Sequence, residues 1–336
     1  MATEDDAGWS ARTRGAGVRI RRGLRALVAP RTERERTRRR IVALCAPFLA
    51  LAAFAGLYPL WEMFRMSLST SKLETTAELW PTLVETVRQG RVVAVGASAD
   101  AYRTLLSGGP DGVYHRAALN TLWFSVATTA ASLAVAVPVA HALENYDLPG
   151  ERHLVTVLSF PISLPGIVAA FMIIVLLGNT GLLTNLTAAL TGRDPTALAL
   201  STTGVGLFLA YLYSMIPRSL LLLRGAYAEV NTAAEEAARS LGASPLRTFR
   251  HVTLPAIKPG LVGAAILTFR TAMAIFGTLL ILSQALVPQP WTYQIDRMLN
   301  YDFSVQLAMA MGVTWFVFVF AATVLGLRYT SAEVGL

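Results

Sequence analysis

Six stretches of this 336-residue chain are apolar over about 20 residues or more, the length needed to cross the hydrocarbon core of a bilayer. They cover residues 41–60, 118–143, 154–178, 202–223, 260–287 and 305–327. Only 15% of all residues are charged, whereas soluble domains usually carry about 25%. Because lipid offers no water to unpaired backbone groups, each stretch is predicted to be helical. We therefore expect an all-α membrane protein with six transmembrane helices.

Positive charge is concentrated at the N-terminus. The first 40 residues hold twelve Arg and five acidic residues, so they carry nearly all of the net charge of +8. A basic tail next to a span is typical of a segment that rests on anionic membrane lipid, and no nucleic-acid partner is expected. With this tail inside, 20 of the 29 Lys and Arg residues, Arg218 among them, fall on the cytoplasmic side. Both termini are therefore predicted to be cytoplasmic, and no cleavable signal peptide is expected.

The predicted organisation has five parts. Residues 1–40 form an Arg-rich cytoplasmic tail, 41–60 the first transmembrane helix, and 61–117 a periplasmic or extracellular loop. Residues 118–327 form the transmembrane core, and 328–336 the cytoplasmic C-terminus. The roles of the tail and of the loop 61–117 stay open.

One predicted cytoplasmic connection, residues 224–258, has local signals for two short helices. Thr232 with Glu235 three residues later predicts a capping box at the start of the first helix. Gly242 stands where a helix end requires a left-handed residue. Ser244-Pro245 predicts the start of a second helix, which we expect to end near Pro255, before the fifth span. A helical pair of this kind indicates a docking element between the fourth and fifth spans.

The same connection carries a spaced motif. Glu236-Ala237-Ala238 is followed after three residues by Gly242, and after nine more by Val252-Thr253-Leu254-Pro255. This pattern resembles the EAA loop of binding-protein-dependent ABC importer permeases of the type I fold, with Val252 where Ile is usual. The resemblance extends over residues 118–327. Further segments that look like this family are Asn120-Thr121, Leu148-Pro149-Gly150 and the run from Phe160 to Gly166.

The resemblance implies a complex of several subunits in the bacterial cytoplasmic (inner) membrane. The expected partners are two ATPase subunits, a second permease (identical or different), a periplasmic or lipid-anchored substrate-binding protein, and membrane lipid. ATP and Mg would be bound by the partner ATPase, so this chain is expected to be a permease subunit and not an enzyme. The residues that the resemblance assigns to ATPase coupling are Glu236, Ala237, Ala238, Gly242, Leu254 and Pro255.

Residues for chemistry of the chain's own are missing from the sequence. Lys72 and Lys258 are the two lysines, and neither follows a glycine, which excludes a phosphate-binding P-loop. The four histidines lack metal-ligand spacing, and the single cysteine, Cys45, excludes an intrachain disulfide. No catalytic, cofactor-binding or metal site is therefore expected.

The translocation path is predicted beside Arg270 and Phe276 in the fifth stretch. Arg270 lies eleven residues past Pro259, about 16 Å along a helix, and so near the middle of the bilayer. Two interpretations stay open for it, namely a structural bond to carbonyls of a neighbouring helix and a place beside the path. The six stretches contain no Asp or Glu, so the second interpretation favours an anionic solute.

Alternatives remain for both the substrate and the class of transporter. The segment around Phe276 resembles permeases for polyamines, ferric iron, phosphonates and related oxyanions more than it resembles sugar permeases. We expect a phosphonate or other oxyanion, with a polyamine or ferric iron as the alternative for the same machinery. A secondary transporter is the alternative from another class, and a channel or a membrane scaffold explains the motif less well.

Overall fold

The computed structural model describes residues 33–68, 99–146, 149–228, 230, 232–282 and 289–334. Most of the predicted tail and residues 69–98 of the predicted loop lie outside this description. The α-helices are α1 Glu33–Ser67, α2 Asp100–Leu106, α3 Val113–Asn145, α4 Glu151–Ser159, α5 Gly166–Leu177, α6 Leu182–Thr191, α7 Pro195–Leu198, α8 Gly204–Tyr227, α9 Thr232–Ser240, α10 Pro245–Thr248, α11 Leu254–Ala274, α12 Gly277–Ile281, α13 Trp291–Asn300 and α14 Val305–Val334. Short 3₁₀ turns occupy Pro110–Gly112 and Phe160–Ser163.

Six helical segments in the described part of the chain are long and apolar enough to cross a membrane, which agrees with the predicted number. They are Ile41–Ser67, Pro110–Asn145, Gly166–Thr191, Gly204–Tyr227, Pro245–Ile281 and Val305–Arg328. The helices extend beyond several of the predicted apolar stretches, because polar residues continue the helix past the hydrocarbon. For this reason Glu62, Asp111 and Glu144 lie inside the longer spans, near their ends.

The chain divides into two compact units, Met1–Trp61 and Glu62–Leu336. In the first unit, the described residues belong to α1. None of its most apolar window is buried, and Leu44 and Phe48 are among its exposed side chains. A helix that is apolar on every side matches lipid and not water.

The second unit holds the remaining five spans, in which α8 lies along α3, α5 and α11, and α14 packs against α11 and α13. Three apolar clusters follow one another along this bundle. The upper cluster surrounds Trp291 and Trp315, the middle cluster surrounds Phe124 and Tyr211, and the lower cluster comprises Ala136, Ala140, Leu143, Leu220, Leu223, Tyr227, Ile257 and Ala264. Many of the contact residues are small, as expected where helices in lipid associate by close packing. A hydrogen bond of 3.0 Å between Ser219 and Thr268 adds a polar contact between α8 and α11.

The third span differs from its prediction. The sequence predicts one helix over 154–178, whereas the structure has α4, a 3₁₀ turn and an extended residue, Leu164, before α5 begins at Gly166. Pro165 lacks an N–H and disfavours helix at the residue before it, which explains the interruption. The candidate span therefore begins at Gly166 and continues through α6.

The third and fifth spans touch where both are interrupted. Between α11 and α12, Ile275 is extended, and Gly277 then lies against the start of α5. The Thr278 hydroxyl donates to the Gly166 carbonyl at 3.1 Å. A Cβ atom on Gly166 would lie 2.8 Å from the Thr278 Oγ1 atom. Glycine is therefore required at position 166 for this approach.

We predict that Gly166→Ala lowers the free energy of unfolding by about 1–3 kcal/mol, the typical cost of overpacking. Thermal unfolding of the purified protein in detergent would measure the loss as a lower midpoint. Gly225→Ala is the matched control, since a Cβ atom there meets nothing within 4 Å. Equal midpoints for the two variants would contradict the close-packing argument.

Candidate functional site

The first helix of the connection between the fourth and fifth spans is α9, and it ends in a glycine turn. The Gly242 N–H donates to the Arg239 carbonyl at 2.9 Å, and the Ala243 N–H donates to the Ala238 carbonyl at 3.0 Å. This pair of bonds is the Schellman motif, which needs a left-handed residue after the helix. Gly242 has φ +82°, as the sequence predicts. The turn thus fixes the direction in which the chain leaves α9.

The second helix starts as predicted at Pro245 but does not end near Pro255. It passes from α10 through a π-helical turn, Phe249–Thr253, directly into α11. The Leu254 N–H donates to the Phe249 carbonyl across this wider turn. A proline ring ordinarily clashes with the carbonyl four residues earlier, and the wide turn before Pro255 relieves that clash. The expected break is therefore wrong, and the connection is continuous with the fifth span.

One face of the connection exposes apolar side chains beside charges. Leu241 is 90% exposed and Leu246 is 76% exposed, on either side of the Gly242 turn. Glu236 and Ala237 are exposed next to them, as are the basic residues Arg239, Arg247 and Arg250. We call Glu236, Ala237, Leu241 and Leu246 the exposed face. An apolar patch bordered by charges is typical of a protein-binding surface.

One residue of α9, Glu235, is buried against the π turn. Glu235 is 3% exposed, and its carboxylate accepts a hydrogen bond from the Thr253 hydroxyl. Arg239 approaches the same carboxylate at 3.7 Å. In the structure α9 begins at Thr232, and the Glu235 carboxylate makes a tertiary contact with Thr253. The capping box of Thr232 with Glu235 stays a prediction.

The ends of the second and fourth spans support this connection. The His141 ring on α3 lies 4.8 Å from the Phe249 ring of the π turn, measured between centroids. Arg224 on α8 pairs with Glu144 on α3 and, at 3.0 Å, with Glu151 on α4. The two ion pairs link α3, α4 and α8 at the end of the bundle from which the connection begins. The His141–Phe249 contact attaches the π turn to α3.

The residues assigned from the motif separate into two groups. Glu236, Ala237 and Gly242 are exposed, and Ala238 is half-buried beside them. Leu254 instead packs against the lower cluster, and Pro255 is the second residue of α11. The motif therefore combines a surface with part of the scaffold that holds it.

Four residues with a place in this site were not singled out as site residues by sequence reasoning. Leu241 and Leu246 dominate the exposed face, while Glu235 and Thr253 join α9 to the π turn. The contact between Glu235 and Thr253, which are eighteen residues apart, could not be predicted from a sequence pattern.

Arg270 and Phe276 lie together in the fifth span but not at the connection. Arg270 is exposed near the end of α11, and Phe276 is half-buried in the interruption between α11 and α12. The two interpretations of Arg270, a structural bond to carbonyls of a neighbouring helix and a place beside the path, both stay predictions. A charge at that depth must face protein or water and not lipid. A second arginine, Arg218, also lies inside a span, where it donates to the Ser214 carbonyl at 2.8 Å.

Comparison with known proteins matches residues 134–330 to the family model described as binding-protein-dependent transport system inner membrane component. A probable molybdenum ABC transporter permease protein of Haloferax volcanii is 29% identical over 196 residues, 57% of this chain and 69% of that protein. The trehalose transport system permease protein SugB of Mycobacterium tuberculosis is 28% identical over 184 residues, 55% of this chain and 60% of that protein.

A solved structure shares the fold. It is the crystal structure of a bacterial ABC transporter involved in the import of the acidic polysaccharide alginate, with a TM-score of 0.60. The superposition covers 87% of this chain and 99% of that chain, at 16% identity. The two chains therefore have the same arrangement of spans, while their sequences have diverged.

We predict that Gly242→Val loosens the connection, because a β-branched residue is strained at positive φ. Limited trypsin digestion of membranes should cut next to Arg239 or Arg247 several times faster than in the unmodified protein. Gly242→Asn is the control, since asparagine tolerates the left-handed conformation. Equal cleavage rates for the valine and asparagine variants would show that the turn does not depend on the left-handed residue.

Proposed function

The chain belongs to the family of binding-protein-dependent transport system inner membrane components, and on that premise we propose how it works as a permease subunit of an ABC importer. It forms half of a translocation path through the inner membrane. It couples to an ATPase through α9 and the exposed face. The membership argues against the secondary-transporter alternative.

The observation that carries the coupling role is the exposed face itself. Leu241 and Leu246 are exposed on either side of the Gly242 turn and belong to none of the three apolar clusters. Exposed leucines of this kind are stabilised when a partner covers them, and small neighbours such as Ala237 permit close approach. Glu236 beside them would pair with a basic residue of the partner. We assign the ATPase to this face.

The remaining partners are the other subunits that binding-protein-dependent importers contain. Two ATPase subunits, a second permease and a substrate-binding protein would complete the importer. ATP and Mg²⁺ would be held by the ATPase subunits, and this chain would contribute no ligand to them. In the described residues no cluster of His, Cys, Asp and Glu has the composition of a metal site.

We assign the substrate to the oxyanions. Arg270 is an exposed charge on the fifth span, so it must meet a second subunit or a water-filled path. Beside such a path it attracts an anion and repels a polyamine. The relative from Haloferax volcanii is described as a probable molybdenum permease, which agrees with this assignment. The trehalose relative shows that the family also includes permeases for neutral solutes.

The first test addresses docking. Leu241→Ser combined with Leu246→Ser should reduce the ATPase that is retained on purification of the permease at least tenfold, because the apolar contact is lost. Glu236→Lys should weaken retention as well. Leu106→Ser is the matched control, since Leu106 is 79% exposed but lies on α2. Unchanged retention in the double variant would contradict docking at the exposed face.

The second test addresses the substrate. Calorimetry with the cognate substrate-binding protein should show binding of molybdate, sulfate or aminoethylphosphonate, and none of spermidine, ferric iron or trehalose. Arg270→Gln should then lower the uptake of the bound anion at least fivefold, while Arg270→Lys retains most of it. Exclusive binding of spermidine, or full uptake by Arg270→Gln, would overturn the oxyanion assignment.

A further inference from the structure

Two neighbouring glutamates of α9 lie in opposite environments. Glu236 is exposed, whereas Glu235 is 3% exposed. Burying an ionised carboxylate costs several kcal/mol unless hydrogen bonds compensate. A buried Glu beside an exposed one is therefore held by a specific contact.

That contact is Thr253, which is itself fully buried. Its hydroxyl donates to the Glu235 carboxylate from the end of the π turn, eighteen residues along the chain. Arg239, one helical turn along α9, lies 3.7 Å from the other carboxylate oxygen. Hydrogen bonds to charged groups are stronger than bonds between neutral groups. The Glu235–Thr253 pair is thus a firm attachment of α9 to the π turn.

The π turn leads without interruption into the fifth span. Leu254 begins α11 immediately after Thr253, and Ile257, one turn later, is 1% exposed in the lower cluster. The same helix carries Arg270 and ends at the interruption beside Phe276. A displacement of α9 that keeps the Glu235–Thr253 bond must therefore move the base of the fifth span.

We propose that Glu235 is a positioning residue that transmits the movement of α9 to the fifth span through Thr253. This inference rests on the proposed function, in which an ATPase docks on the exposed face. Docking uses Glu236, Leu241 and Leu246, whereas transmission uses the buried side of the same helix. The two roles are separable, because no side chain serves both.

The experiment uses the purified complex reconstituted in vesicles and needs no transported solute. Cys45→Ser removes the single native cysteine, and Leu280→Cys places a probe on α12, where Leu280 is 40% exposed. The rate of labelling by a membrane-impermeant maleimide is measured without nucleotide and after trapping with MgATP and vanadate. ATPase retained on purification is measured in parallel.

Thr253→Val removes the hydroxyl at nearly constant volume, and Thr253→Ser keeps it. Thr271→Val is the matched control, because the Thr271 hydroxyl bonds within its own helix, to the Leu267 carbonyl at 2.8 Å. We expect trapping to change the labelling rate at least fivefold in the Thr253→Ser and Thr271→Val variants. In Thr253→Val and Glu235→Leu the change should fall below twofold, with ATPase retention within twofold of the unmodified protein.

Three results would overturn the transmission role. They are a normal response in Thr253→Val, a loss of ATPase retention that parallels the loss of response, and an unmodified complex whose labelling does not respond to trapping. The proposed function fails by a different observation, a purified permease that retains no ATPase at all. The two failures are therefore distinguishable.

Discussion

Lipid cannot hydrogen-bond a backbone group, and the architecture of this chain follows from that constraint. Where the spans are interrupted, side chains and neighbouring backbone take over the missing bonds. Trp315 donates from its indole nitrogen to the Met273 carbonyl at 3.2 Å, and Thr292 donates to the Ile275 carbonyl at 3.1 Å. The Leu177 carbonyl, at the end of α5, accepts from the Leu200 and Ser201 N–H groups. These carbonyls at the interruptions are thus bonded within the protein, which is a condition for non-helical backbone at membrane depth.

The helical class and the number of spans could be predicted from the sequence because lipid imposes a length and a composition that are visible locally. The Gly242 turn was predictable for a similar reason, since a single residue carries the required backbone freedom. The course of the chain at Pro255 could not be predicted from the sequence. Proline is normally a helix breaker, but here a π turn with wider hydrogen bonding precedes Pro255 and the helix continues.

The candidate site was predictable as a motif but not as a geometry. Spacing identified Glu236 and Gly242, which are exposed as a docking surface requires. Burial, however, depends on which elements pack together, and sequence spacing gives no rule for the pairing of Glu235 with Thr253. Leu254 illustrates the same point, because a residue assigned to coupling packs against the lower cluster.

The π turn also has a consequence for the evolution of such a chain. A π turn is equivalent to one residue inserted into an α-helix, and one residue corresponds to about 100° of rotation. Deletion of a single residue within Phe249–Thr253 would restore the regular helix and turn the whole of α11 about its axis by that angle. Arg270 would then leave its present side of the bundle. The side of the fifth span on which Arg270 lies therefore depends on the number of residues in the π turn Phe249–Thr253. That turn is some 25 Å from Arg270 along the helix, at about 1.5 Å per residue.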